Sequence, residues 1–234
     1  MSWIDKYMED LAKHEGRSSA KAIEGGGYTR GYGLTDLAQS FIQTRGANAD
    51  EMSDEELAKE YVLWNAEQIK KSYPNFDSWP DSVKVAAVDL AYNGGNINNF
   101  KGFSKALKEN NWQEAAKQTL DIISANDPKT GQRAVLRGLA NRRVDYYNKI
   151  AVDVGFPTIN SFDISEQGTG SKVSYKTESG DLDFNFKGKL HSASGSYDVK
   201  KNLTSDIFSN AVKESQKYAE QYLDPSAEVF EVKI

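Results

Sequence analysis

The sequence predicts an α+β protein: a mainly helical domain over residues 1–154 with a small β-hairpin near its start, and a smaller α+β domain over 155–234. Three observations carry this expectation. Apolar residues recur at the helical period through most of the first 154 residues. A run of glycines, Gly25 to Gly27, interrupts that pattern and leads into an alternating segment. Past Gly155-Phe156-Pro157 the texture turns to serine, glycine and period-2 alternation.

Taken in order, Trp3, Ile4, Tyr7, Met8 and Leu11 predict a helix over 2–14. The glycine run cannot continue a helix cheaply and suits a tight hairpin turn. In the segment after it, Tyr28, Arg30 and Tyr32 alternate with Thr29, Gly31 and Gly33, so one strand face is bulky and the other nearly bare. Ser53 and Glu56 have capping-box spacing and predict a helix over 54–72, with Leu57, Tyr61, Val62 and Ile69 inward. Pro80 suits a helix first turn, and Val83, Ala86, Ala87, Leu90 and Ala91 give an unusually apolar helix expected at the centre. Asn111 with Glu114 marks another start, leading to Leu120 and Ile123. The turn-rich stretch 126–131 precedes a last helix through Leu136, Ala140, Tyr147 and Ala151. In the second part, Leu182, Phe184 and Phe186 alternate as a strand. Ser179-Gly180-Asp181 and 192–196 read as turns. Phe208 to Tyr222 forms an amphipathic helix, and Phe230, Val232 and Ile234 a closing strand.

Composition narrows the chemistry. The chain has 234 residues, 38% of them apolar and 27% charged, which suits a globular core. It has no cysteine and only His14 and His191 as histidines, so thiol chemistry, cysteine or histidine metal sites and a zinc hydrolase are not expected. No cofactor or metal is expected either. The net charge of −5 is unfavourable for nucleic-acid binding. No apolar run is long enough to cross a membrane, and the start shows no basic-then-apolar signal pattern. Catalysis, if present, falls to carboxylates, hydroxyls, lysine or tyrosine.

The chemistry concentrates in His14-Glu15-Gly16-Arg17 and in the stretch from Ile23 to Gly33. Glu15 closes the first helix, where the helix dipole disfavours an anion. With Glu24 and the Thr29 hydroxyl it makes a trio suited to glycoside hydrolysis. One carboxyl must be protonated to donate to the leaving oxygen, and the other ionised to activate water or stabilise an oxocarbenium-like state. Each residue also has a plainer explanation: Glu24 as a solvated charge beside a turn, Thr29 as a β-former, the glycines as a flexible turn. No nucleophile-elbow motif supports a serine hydrolase.

These residues resemble the phage-type lysozyme family, the muramidases of tailed phages and some prophages. That family has a helix ending in Glu-Gly, then an aspartate, then a threonine in a hairpin ending Thr-x-Gly-x-Gly. Here Glu15-Gly16 precedes Glu24 and Thr29-Arg30-Gly31-Tyr32-Gly33. Ala91-Tyr92-Asn93-Gly94-Gly95 resembles the end of the family's central helix, and Gly138-Leu139-Ala140-Asn141-Arg142-Arg143 a motif near the end of its domain. The matches fall in family order over about residues 2–154. The resemblance implies a lysozyme-like domain that cleaves the β-1,4 bond between N-acetylmuramic acid and N-acetylglucosamine in bacterial peptidoglycan. Glu15 becomes the general acid, and Thr29 helps Glu24 hold the attacking water. Tyr32, Tyr92 and Asn93 become candidate substrate-binding residues.

The second carboxylate is Glu rather than Asp, and its gap to the threonine is one residue shorter. The expectation is that a longer side chain on a shorter hairpin restores the carboxylate position. Leu34 stands where the family has a histidine. The acidic charge opposes encounter with an anionic wall, which favours a muramidase carried to its substrate. The implied setting is phage-encoded: the host cytoplasm until release, or the virion. The 155–234 domain carries no such resemblance and is open to binding the wall, docking to phage virion or tail proteins, making oligomers, or simply stabilising the first domain. A lytic transglycosylase using Glu15 alone, and a non-catalytic wall-binding or structural virion protein on a lysozyme scaffold, stay open as alternatives.

Overall fold

The computed structural model describes residues 2–15, 18–23, 27–34, 38–45, 51–126 and 133–190, with backbone alone at 13, 15, 18–23, 27–31, 39, 40 and 45. The first helix, α1 (Trp3–Glu15), starts on a reciprocal cap. The Asp5 N–H donates to Ser2 Oγ at 3.2 Å and the Ser2 N–H donates to Asp5 Oδ2 at 3.0 Å. Tyr7 and Leu11, one turn apart, are fully buried. After α1, β1 (Ser18–Ile23) and β2 (Gly27–Gly31) pair antiparallel, with Ile23 opposite Gly27 and Lys21 opposite Thr29. The hairpin stands where the glycine run predicts it; its tip, residues 24–26, lies outside the described residues.

A short helix, α2 (Gln39–Arg45), leads to the long α3 (Asp54–Ser72). Both arms of the Ser53/Glu56 capping box are made, and Leu57, Tyr61, Val62 and Ile69 point inward as their spacing predicts. The central helix is α4 (Asp81–Gly94), in which every residue from Val83 to Tyr92 is buried. Pro80 occupies its N-cap rather than its first turn. Two shorter helices, α5 (Lys101–Lys108) and α6 (Trp112–Thr119), follow. The Asn111 side chain caps α6 by accepting from the Glu114 N–H at 3.1 Å. Leu120 and Ile123, expected within that helix, are buried beyond its end. β3 (Ser124–Asn126) and β4 (Arg133–Val135) form a two-stranded ribbon. The last described helix, α7 (Arg137–Val154), runs from Leu136 to a left-handed cap at Gly155 (φ 90°), which glycine adopts without a Cβ penalty.

Three strands close the described chain: β5 (Ile159–Gln167), β6 (Gly170–Thr177) and β7 (Gly180–Lys187), an antiparallel meander in order β5-β6-β7. Its inner face, with Phe162, Val173, Tyr175, Phe184 and Phe186, joins the hydrophobic core of the helices. Asn148 on α7 holds the first residue of β5 at both ends, its Nδ2 donating to the Ile159 carbonyl at 2.9 Å and its Oδ1 accepting the Ile159 N–H at 2.7 Å. The Tyr175 hydroxyl donates to the Leu120 carbonyl at 3.2 Å. The outer face is polar and laced with ion pairs, Lys172–Asp183 and Lys176–Asp181.

The α+β class predicted from the sequence is the one observed. The β5–β7 sheet, although it follows the texture change at 155, packs with the helices in one compact unit. The helix expected over 208–222 and the strand ending at Ile234 lie outside the described residues. Among the described residues, no helix is long and apolar enough to cross a membrane.

Candidate active site

α1 carries Glu15 as its last residue, one helical turn beyond the buried Leu11. Thr29 sits at the middle of β2, opposite Lys21. Glu24, in the hairpin tip, lies outside the described residues, as do the side chains of Glu15 and Thr29. What the structure does describe is the frame that carries them.

Tyr32 immediately follows β2 and is buried. Its carbonyl accepts a hydrogen bond from the Tyr92 hydroxyl at 3.0 Å, which ties the last turn of α4 to the foot of the hairpin. Tyr92 is itself only 2% exposed and packs against the rings of Tyr61 and Tyr7, at 4.8 and 6.2 Å between centroids. Both tyrosines therefore stand beneath the surface as struts. Asn93 is different: it is solvent-exposed, and its Nδ2 donates to the Asp89 carbonyl at 3.0 Å and to Asp89 Oδ1 at 3.1 Å. Of the three candidate substrate-binding residues, Asn93 is the one with a free approach from solvent.

Asp89 is the residue that sequence reasoning missed. It has no exposure at all, and four side chains converge on it. Arg142 Nη2 donates to Oδ1 at 2.5 Å and Arg143 Nη1 to Oδ2 at 2.6 Å. The Tyr7 hydroxyl donates to Oδ1 at 3.3 Å, and Asn93 is the fourth. Burial pushes the Asp89 carboxyl up, but the two guanidiniums outweigh it and hold the group below its ordinary value of 3.8. Burial, reinforced by the Asp89 charge, drives the Tyr7 and Tyr146 phenols well above their usual range, so both stay protonated, and Tyr7 keeps the proton it donates to Asp89. One carboxylate thus joins α1, α4 and α7. The signal was present in the sequence: a single acid inside the apolar run Ala86-Ala87-Val88-Asp89-Leu90-Ala91 must find partners, because an unpaired buried charge is very costly.

A second link runs between α1 and α7. Lys149 Nζ meets Asp10 Oδ1 at 2.5 Å and Asp145 Oδ2 at 2.8 Å. Burial lowers the Lys149 pKa, and the two carboxylates more than reverse that, so the ammonium persists. His14, just before Glu15, lies with Nε2 3.5 Å from Asp145 Oδ2. Among the described residues no group of His, Cys, Asp or Glu could hold a metal ion.

No protein-family model matches the chain, and no curated protein matches it. Among solved structures the chain is similar to the active form of the P1 phage endolysin Lyz, at 19% identity and a TM-score of 0.47, over 64% of this chain and 85% of that one. At that identity and score the likeness decides nothing about function, which rests on the residues.

Proposed function

We propose that this chain is a phage-encoded peptidoglycan muramidase that hydrolyses the β-1,4 bond between N-acetylmuramic acid and N-acetylglucosamine. The supporting observation is the convergence of three segments that lie far apart in sequence and each resemble the same family. The Tyr92 hydroxyl bonds to the Tyr32 carbonyl, linking the central-helix segment to the hairpin. Arg142 and Arg143 bond to Asp89, which also holds Asn93, linking the third segment to the second. Asp89 further accepts from Tyr7 on the helix that ends at Glu15.

Glu15 is the general acid, protonating the glycosidic oxygen as the bond breaks. Glu24, ionised, with the Thr29 hydroxyl, holds the water that attacks the anomeric carbon and takes its proton. Asn93 contributes a polar group at the edge of the cleft. The rigid frame matters because a proton donor misplaced by about 1 Å can lose on the order of 10²-fold in rate.

The test is digestion of purified peptidoglycan by the wild-type protein and by Glu15→Gln, with the new ends identified by mass spectrometry. Reducing muramic-acid ends from the wild type alone are expected, since an amide cannot donate the proton and general-acid help is worth about 10²–10⁴ in rate. Anhydro ends would make the protein a transglycosylase. Binding with no new ends would make it a wall-binding protein.

A further inference from the structure

Two grooves lie side by side on the α3, α4 and α5 surface. The first, about 410 Å³, has an aromatic floor of Tyr61 and Trp64 and a rim that includes Gln68, Lys71 and Asn96. The second, about 600 Å³, is walled by Lys101, Lys105 and Lys108 of α5. They share Ser72 and Asn98, so they form one continuous strip. The shared ridge is stiff. Asn98 Nδ2 donates to Ser72 Oγ at 3.3 Å, and Asn98 Oδ1 accepts from the Tyr73 hydroxyl at 2.8 Å.

The charge of this strip is opposite to that of the chain, which carries −5 overall. All four of its charged side chains are lysines. Lys101, Lys105 and Lys108 fall on one helical face, opposite the buried Phe103, Ala106 and Leu107. Lys101 and Lys108 have no ion-pair partner among the described residues, and Lys105 reaches Glu109 only at 3.9 Å. A further groove between α1, α4 and α7 shows the contrast, with Glu9, Asp10, Asp81, Asp145 and Asp153 among its lining. A lysine face alone is ordinarily just solvated. What distinguishes this one is its junction with an aromatic and amide groove. Tyr61 stacks on Trp64 at 5.8 Å and 22°, fixing the indole in place.

We infer that this strip binds a carboxylate-bearing glycan strand of peptidoglycan, alongside the bond that is cut. The inference rests on the muramidase reading. A sugar ring's apolar face suits the indole, the amides of Gln68 and Asn96 suit its hydroxyl and acetamido groups, and the lysines meet the carboxylates that follow along the strand. The first groove includes Ala91 and Gly95, which flank the Tyr92–Asn93 turn, so one strand can run from the lysines to the candidate site. The strip also answers the charge problem, because it offers an anionic wall a local positive approach on an acidic protein.

The test uses the full chain carrying Glu15→Gln, so that the wall is not consumed, and measures co-sedimentation with peptidoglycan stripped of phosphate polymers. Adding K101Q, K105Q and K108Q together is expected to weaken binding about tenfold at low salt, the combined effect of three exposed charge contacts of ordinary size. High salt should erase the difference. A second variant, Q68A with K71A, touches only the first groove's rim and should also weaken binding. Unchanged affinity in both variants would overturn the inference, as would binding that appears only when phosphate polymers are left on the wall. Cleavage by the protein with Glu15 intact is scored separately on the same material. Cleavage with lysine-independent binding sinks the strip alone; lysine-dependent binding without cleavage sinks the muramidase and leaves the strip standing.

Discussion

Replacing Asp89 with asparagine should destabilise the protein far more than its single-atom change indicates. Both carboxylate oxygens of Asp89 accept from buried guanidiniums, at 2.5 and 2.6 Å, with Tyr7 and Asn93 completing the shell. The asparagine keeps the shape but removes the charge, and it turns one acceptor into a donor facing an arginine. Two cations are then left without their counter-charge inside the core. Breaking a buried pair in this way costs about 3–5 kcal/mol. For a unit of this size each kcal/mol lowers Tm by about 2–4 °C, so a fall of roughly 6–20 °C is expected in a thermal scan. The pH dependence has a definite sign. The folded carboxyl is held below its ordinary value of 3.8, so its contribution is complete above that value and is lost as pH falls through the lower folded pKa. The gap between the parent and Asp89→Asn should therefore narrow only under strongly acidic conditions. A variant melting within about 2 °C of the parent at neutral pH would refute the claim that this charge balance holds α1, α4 and α7 together.

Two stability predictions join the activity test of Glu15→Gln and the binding test of the lysine strip. Ser53→Ala removes the side-chain arm of the α3 capping box, in which Ser53 Oγ accepts from the Glu56 N–H, while the backbone N–H at 53 keeps its bond to Glu56; it should cost about 1 kcal/mol, read as a lower urea midpoint with unchanged slope. Gly188→Ala should cost about 3 kcal/mol, because the residue has φ 108° and an added Cβ would lie 2.0 Å from the Arg133 carbonyl oxygen. Its specific signature is faster hydrogen exchange at the Val135 amide, which now donates to the Lys189 carbonyl at 3.0 Å.

Local signals proved legible where a single segment contains the whole cause. Ser53 and Glu56 are three residues apart and cap α3 by themselves. The glycine run breaks the helical pattern without help from elsewhere, and the strand alternation of Leu182, Phe184 and Phe186 is the observed β7. Elements needing distant partners were harder to read. α5 has only eight residues and contains Gly102, so its intrinsic signal is weak; Phe103, Ala106 and Leu107 give it a buried face only once the neighbouring helices are present. β3 and β4 are three residues each and exist as a pair. The texture change near 155 marks where helices give way to strands, but not where packing ends, because an apolar strand face does not reveal what it will cover.

At the candidate site the same distinction holds. Tyr92 and Asn93 are neighbours in sequence, yet one is a buried strut and the other exposed, since successive residues of a helix point about 100° apart. The Arg142–Arg143 pair was legible as a motif but its purpose was not, because Asp89 lies more than fifty residues away.

The order of the last sheet has a consequence for the molecule's conduct at high concentration. Among the described residues β5 has a strand neighbour on one side only, and the Asn148 side chain occupies just its first residue. The backbone beyond Ile159 is a place where another chain's strand could add itself. Asp163 and Glu166 stand along that stretch, so two copies meeting edge to edge in register would bring carboxylates together. Like charges thus guard the border, and acid, which neutralises them, is the condition under which self-association through β5 should first be sought.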